Sequence, residues 1–154
     1  MKSLLLMVLI FTSVIIGNPS PCNQENAPIK TENNGTMANG KIKIRVNSQI
    51  FTASLLDNNT AKAFKELLPM TIQMTELNGN EKYYDLPKSL PINSTNPESI
   101  KNGDLMLYGS NTLVLFYKTF PTSYSYTKLG SIDDTAGLQK AIGAGNVSVT
   151  IDKN

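Results

Sequence analysis

Eight aromatic side chains are concentrated between positions 83 and 126, and they are the clearest candidates for ligand chemistry in the chain. Aromatic rings supply a large stacking area, and tyrosine adds a hydroxyl group for hydrogen bonding. The pattern predicts an aromatic cleft for a peptide or a small ligand. The alternative is that the rings only fill the ends of the fold, the commoner fate of apolar rings. The predicted binding residues are Tyr84, Tyr108, Phe120, Tyr124 and Tyr126.

Two absences restrict the catalytic chemistry that the chain can carry. It contains no His, and its single Cys, Cys22, stands near the N-terminus. Nucleophilic triads that depend on His, and metal sites built from His or Cys, are therefore excluded from the region that follows. An intrachain disulfide is excluded as well.

Carboxylates are the remaining candidates for acid–base or cation chemistry. Asp133 and Asp134 are adjacent and precede an expected helix, where carboxylates more commonly act as caps than as an acid–base pair. Glu81, Asp85 and Asp104 carry oxygen ligands but lack the spacing of a calcium-binding loop. We therefore predict no catalytic residue, no metal site and no cofactor.

The balance of charge argues against a nucleic-acid partner. The chain has 14 basic and 12 acidic residues, a net charge of +2, and its basic residues are scattered singly. Nucleic-acid-binding proteins usually carry a concentrated basic patch. The expected partner is therefore a small molecule or a peptide.

The N-terminal region predicts export. Residues 1–22 carry a basic residue at position 2, followed by an apolar run over residues 4–16 that is too short to span a bilayer comfortably. Cys22 resembles the lipidated cysteine of bacterial lipoproteins, and ordinary signal-peptide cleavage is the alternative. Residues 23–40 are polar and predict a disordered linker. The expected location is periplasmic, secreted or lipid-anchored at the cell surface, with membrane contact only through Cys22.

The elements that must position the aromatic residues begin at Lys41, and we expect one domain over residues 41–154. Apolar and cationic residues alternate strictly over residues 41–46, which predicts a half-buried strand. A single helical turn is expected at 96–99. Further strands are predicted at 49–55, 71–75, 82–86, 104–108, 112–117, 127–132 and 147–151, and helices at 61–68 and 135–142. Many short strands with two short helices indicate a closed antiparallel barrel.

The order of these elements and several short strings resemble the small bacterial cyclophilin-like fold family. The strings are LDNNTA at 56–61, LLP at 67–69, LP at 86–87, GD at 103–104, FYK at 116–118 and LGSID at 129–133. The resemblance covers about residues 41–151. It implies a mainly β fold, a closed eight-stranded antiparallel barrel with two short helices.

The resemblance supplies the fold more readily than an activity. Cyclophilins isomerise X-Pro bonds with an Arg on a strand after the first helix, together with Trp and His in the proline pocket. Here residues 70–86 contain neither Arg nor His, and the chain has no Trp. The only arginine, Arg45, alternates with Ile44 and Val46 and is expected to face away from the interior. The sequence therefore predicts an exported, non-catalytic binding module.

Two enzymatic alternatives remain open. The first is a peptidyl-prolyl isomerase with an atypical active site, which rests on fold analogy. The second is a flavin-dependent or other cofactor-assisted enzyme, although no glycine-rich loop before a helix is present to hold a phosphate.

Overall fold

The computed structural model describes residues 40–154, and its strands close into a barrel. The strands are β1 (Lys41–Val46), β2 (Gln49–Leu55), β3 (Met70–Leu77), β4 (Glu81–Asp85), β5 (Ser99–Ile100), β6 (Asp104–Tyr108), β7 (Thr112–Phe116), β8 (Phe120–Pro121), β9 (Thr127–Ile132) and β10 (Val147–Lys153). The helices are α1 (Asn59–Glu66) and α2 (Leu138–Ile142). Eight strands pair antiparallel in the closed order β1-β10-β3-β4-β7-β6-β9-β2, while β5 and β8 form a separate two-stranded sheet. The predicted eight-stranded barrel with two helices is confirmed.

The alternation of residue types in β1 places its apolar side chains in the interior and its cationic side chains in solvent, as the sequence predicts. Ile42, Ile44 and Val46 are fully buried in the barrel interior, and Arg45 on the same strand is exposed. Apolar residues from every barrel strand join them in one core, which supplies most of the driving force for folding. The predicted leader, the linker and Cys22 lie outside the described residues.

Strand β7 is buried on both of its faces. Leu113 and Leu115 point into the barrel, whereas Val114 and Phe116 point outward. The outward residues belong to a second cluster, which we call the outer cluster and which lies under the segments around β5 and β8. Its buried members are Ile100, Met106, Val114, Phe116 and Tyr126, with Tyr83 and Phe120 packed against them.

Helix α1 begins where the sequence places a cap. The Asn58 side chain accepts a hydrogen bond from the Ala61 N–H at 2.8 Å. The helix ends at Glu66, with Leu67 as its cap, ahead of a cis Leu68–Pro69 bond. Within residues 40–154, neither helix is long and apolar enough to cross a membrane.

Helix α2 is shorter than predicted, and the aspartates before it do not cap it. Gly137 has a φ of 79° and delays the helix until Leu138. Asp133 instead accepts hydrogen bonds from Lys41 at 2.7 Å and Ser54 at 2.6 Å, which hold the pKa of its carboxyl below the usual range. The Asp134 carboxylate accepts a hydrogen bond from the Ala136 N–H, within a turn that precedes the helix. The predicted capping role was therefore wrong.

The helical turn predicted at 96–99 was also wrong. Glu98 has a φ of 60°, a left-handed conformation that no right-handed helical turn contains. Ser99 and Ile100 then extend as β5 and pair with Pro121 and Phe120 of β8.

Strands β2 and β9 approach each other closely at Gly130. A Cβ atom at this position would lie 2.2 Å from the Ser54 carbonyl oxygen and 2.9 Å from the Leu55 Cα. Only glycine fits there without displacing backbone. The contact lies beside an irregularity in the barrel, where the pairing register of β6 with β9 shifts between Leu105 and Met106.

Candidate functional site

A cleft of about 580 Å³ lies on the outer face of the barrel over β4, β7 and β6. Its floor consists of outward side chains from these strands: Tyr83, Thr112, Val114 and Tyr108. The segment 120–126 forms the opposite wall. The cleft therefore lies beside the outer cluster, and the barrel strands fix the position of its floor.

Backbone hydrogen bonds hold the wall of the cleft in place. The Thr122 N–H donates to the Glu98 carbonyl at 3.0 Å, and Tyr126 exchanges two backbone bonds of 3.0 Å with Thr95. The β5–β8 pairing continues the same antiparallel arrangement beyond the Glu98–Thr122 bond. Because the left-handed Glu98 turns the chain into β5, this local conformation supports the wall that carries the aromatic residues.

The aromatic rings form a connected array. The Tyr126 ring lies 5.5 Å from Phe116, edge to face, and 5.7 Å from Tyr108. Tyr124 meets Tyr108 edge to face at 6.3 Å. Tyr126 is 7% exposed, whereas Tyr108 and Tyr124 are 47% and 62% exposed. Buried rings thus hold exposed rings in a defined arrangement, and the exposed rings are open to a ligand.

The structure brings together four of the five residues that the sequence predicted for ligand binding. Tyr108, Phe120, Tyr124 and Tyr126 all line the cleft. Tyr84 does not, because it lies on the other face of β4 and packs against the barrel interior. Its neighbour Tyr83 takes the place in the cleft. The period-two alternation of β4 separates the two residues, but the sequence does not show which of them faces outward.

The cleft carries negative charge. Glu81 and Asp85 line it, and none of the lining residues in the described part of the chain is Lys or Arg. Asp85 accepts a hydrogen bond from Thr112 Oγ1 at 2.7 Å. Glu81 is partly buried, and its pKa is raised, first by burial and then by the charge of Glu76. Among residues 40–154, no side chain donates a hydrogen bond to the Glu81 carboxylate, and none forms a salt bridge with it.

Lys82, the cation nearest in sequence, is fully buried on the opposite face of β4 and is already occupied. Its ammonium group pairs with Glu76 and donates to the carbonyls of Gly143 at 3.0 Å and Gly145 at 2.6 Å. The Tyr117 hydroxyl also donates to Glu76, at 2.8 Å. These bonds tie the segment after α2 to the barrel wall. We interpret the cluster as structural.

The ionisation of this cluster follows from its hydrogen bonds. Burial acts to raise the pKa of Glu76, but hydrogen bonds from Lys82, Tyr117 and the Gly79 N–H outweigh burial and lower it. Burial, together with the hydrogen bond to Glu76, raises the pKa of Tyr117 to about 12. At neutral pH the cluster therefore contains an ionised carboxylate and a neutral tyrosine.

The Cyclophilin-like family matches residues 44–152, most of the described barrel. The chain belongs to the cyclophilin-like family. Its fold is also similar to the solution structure of a hypothetical protein from Archaeoglobus fulgidus, with a TM-score of 0.58 and 18% sequence identity. That similarity covers 75% of this chain and 95% of the archaeal chain. A search of curated proteins finds none that matches.

The position of Arg45 bears on isomerase chemistry in this cyclophilin-like barrel. In the closed order of eight strands, β1 lies four places from β7 in either direction. Arg45 on β1 therefore projects from the wall opposite the cleft and faces solvent, as its alternation predicts. The single guanidinium group of the chain cannot reach a ligand in the cleft.

The described part of the cyclophilin-like domain does not gather metal ligands. Over residues 40–154, no three side chains of Asp, Glu, His or Cys converge on one point. Glu81 and Asp85 share a face of β4 but are four residues apart, roughly 13 Å along an extended strand. They lie towards different ends of the cleft, so one ion cannot contact both.

Proposed function

We propose that this protein is an exported cyclophilin-like module that binds a peptide or a small ligand in the cleft without isomerising it. The cleft itself is the observation that carries the proposal. Its volume of about 580 Å³ falls within the roughly 300–1,000 Å³ usual for ligand sites. Tyr108 and Tyr124 present exposed ring surface in it, and hydroxyl groups and carboxylates provide polar contacts.

The charge of the cleft supports a role without isomerisation. A prolyl isomerase must stabilise the twisted amide more than either planar form, because equal binding of all forms lowers no barrier. A cation at the prolyl carbonyl provides that preference in cyclophilins. Here the cleft lining offers carboxylates, Arg45 projects from the opposite wall, and Lys82 is buried and paired.

The proposal of export rests on the sequence of the leader. Residues 1–22 have the basic start and short apolar run of a signal peptide. Cys22 is the proposed lipid attachment point, and residues 23–40 would then act as a tether between the anchor and the barrel.

Analysis of co-purifying molecules tests the binding proposal. The purified protein and its Tyr124→Ala and Phe120→Ala variants would be denatured, and the small molecules and peptides released would be identified by mass spectrometry. Ile50→Ala is the matched control, because Ile50 is an exposed apolar side chain (55%) that does not line the cleft. We expect a species retained by the wild type and the control and depleted in both aromatic variants. The same profile from all four proteins would contradict the proposal.

A further inference from the structure

The cleft combines aromatic rings with carboxylates, and no lysine or arginine of the described residues lines it. Four tyrosines and one phenylalanine line it together with Glu81 and Asp85. The negative faces of aromatic rings attract cations within about 6 Å of the ring centroid. Carboxylates attract them over longer distances. The aromatic rings and the carboxylates therefore both favour a ligand with a positive charge.

Glu81 is the group that most clearly lacks a partner. It lies partly buried at the cleft, and none of the ion pairs within residues 40–154 includes it. Removing a carboxylate from water costs free energy unless hydrogen bonds or an opposite charge compensate. The other acidic side chain nearby, Glu76, is compensated by Lys82 and Tyr117. The partial burial of the Glu81 carboxylate is therefore not compensated by an opposite charge, and a bound cation would provide that charge.

Glu81 is also close enough to the aromatic array to act with it. It shares the outward face of β4 with Tyr83, two residues away, roughly 7 Å along the strand. Burial raises the pKa of the Tyr126 hydroxyl, and the charge of Glu81 raises it further. A ligand cation beside Glu81 would therefore lie next to aromatic rings as well.

No neighbouring lysine of the described chain fills this position. Lys82 points to the other face of β4 and is fully buried. Lys118 lies 6.0 Å from the Tyr117 ring and is not among the side chains that line the cleft.

From these contacts we infer that the cleft selects ligands with a positively charged organic group, an alkylammonium or a guanidinium, held by Glu81 and the tyrosines. The inference rests on the proposed ligand-binding function and specifies its ligand class. A free organic cation and an arginine side chain of a peptide share this chemistry.

Two pairs of probes, matched in shape and different in charge, test the inference. The first pair is choline and its neutral isostere 3,3-dimethylbutan-1-ol. The second is the capped tripeptide Gly-Arg-Gly and the same peptide with citrulline in place of arginine. Affinities for the full-length protein would be measured by calorimetry. We expect the cationic member of at least one pair to bind about tenfold or more tightly than its neutral partner, and the pair that responds identifies a free cation or a peptide as the source.

Variants assign any such preference to the cleft. Glu81→Gln should weaken binding of the cationic probe about tenfold and reduce the preference over the neutral isostere. Glu66→Gln is the matched control, because the Glu66 side chain is 79% exposed and does not line the cleft. Tyr83→Ala should also weaken binding.

The outcomes separate this inference from the proposed function. Equal affinity for cationic and neutral probes, with both sensitive to Tyr83→Ala, would overturn the charge preference and leave binding in the cleft intact. Absence of binding by both cations would overturn the inference, while the co-purification experiment would still decide the proposed function. Binding that Glu81→Gln and Tyr83→Ala leave unchanged would overturn the assignment to this cleft.

Discussion

Tyr83 and Tyr84 are adjacent in the chain but lie on opposite faces of β4. Tyr83 pairs across the sheet with Val114 and lines the cleft, whereas Tyr84 pairs with Leu113 and packs against the barrel interior. A displacement of one residue therefore separates a ligand contact from a core contact. The pair offers two variants of identical chemistry with different expected effects.

We predict that Tyr83→Ala weakens ligand binding about tenfold or more, while Tyr84→Ala leaves binding by the folded protein unchanged. Tyr84→Ala should instead lower the free energy of unfolding by about 2–4 kcal/mol, because it leaves a cavity beside the core. Urea denaturation and calorimetric titration measure the two effects separately. Loss of binding in Tyr84→Ala with full binding in Tyr83→Ala would contradict the assigned faces.

Lys82 and Lys62 form ion pairs of very different exposure. Lys82 pairs with Glu76 and is fully buried, whereas the Lys62 and Asp57 side chains are 67% and 44% exposed. We predict that Lys82→Met lowers the free energy of unfolding by about 3–5 kcal/mol, because it leaves Glu76 and two carbonyl groups without their donor. Lys62→Met should cost less than about 1 kcal/mol. Similar losses in the two variants, measured by urea denaturation, would show that the buried cluster does not support the barrel.

Glu81 is predicted to reduce stability at neutral pH. Its pKa in the folded protein is raised above the ordinary 4.5, so the folded state holds the proton more tightly than the unfolded state. Stability from this group therefore falls as pH rises from about 4.5 through the folded-state pKa.

Glu76 has the opposite effect on the pH dependence of stability. Its lowered pKa gives stability that is present above about 4.5 and lost as pH falls through the folded-state value.

Glu81→Gln in the ligand-free protein should consequently be more stable than the wild type at pH 7, with the difference diminishing at more acidic pH. Thermal unfolding between pH 7 and about pH 4.5 measures the effect, with Glu66→Gln as the exposed control. A destabilised Glu81→Gln protein at pH 7 would mean that the carboxylate has a stabilising partner.

The sequence predicted the barrel because its strands alternate so regularly. In β1 and β10 apolar residues recur at every second position, and one face of each strand is buried. The double burial of β7 followed from its continuous apolar run. Four aromatic residues of the cleft were predicted because they belong to the aromatic-rich stretch between positions 83 and 126.

The remaining features depend on long-range contacts. The orientation of β4 follows from its pairing with β7, so the sequence did not distinguish Tyr83 from Tyr84. Lysine is rarely buried, and the burial of Lys82 depends on its pairing with Glu76 and on the carbonyl groups after α2. Asp133 resembled a helix cap, but its partners Lys41 and Ser54 lie far away in the sequence.

The leader supplies a separate prediction. If Cys22 is lipidated, mass spectrometry of the mature protein should show a lipid-modified N-terminal cysteine, and Cys22→Ala should release the protein from the membrane fraction. Removal of residues 1–17 without modification of Cys22 would support export and contradict lipidation. An intact leader on protein recovered from the cytoplasm would contradict both.

The most direct test of the central claim measures binding and isomerisation in one sample. The ¹⁵N-labelled protein would be mixed with the capped peptide Ala-Arg-Pro-Phe, and NMR would follow amide shifts of the protein and cis–trans exchange of the Arg-Pro bond. We predict that the largest shifts occur at Tyr83, Tyr108 and Tyr124 and that the exchange rate equals that of the peptide alone. Shifts confined to other surfaces of the barrel, or accelerated exchange that Arg45→Ala abolishes, would contradict the account.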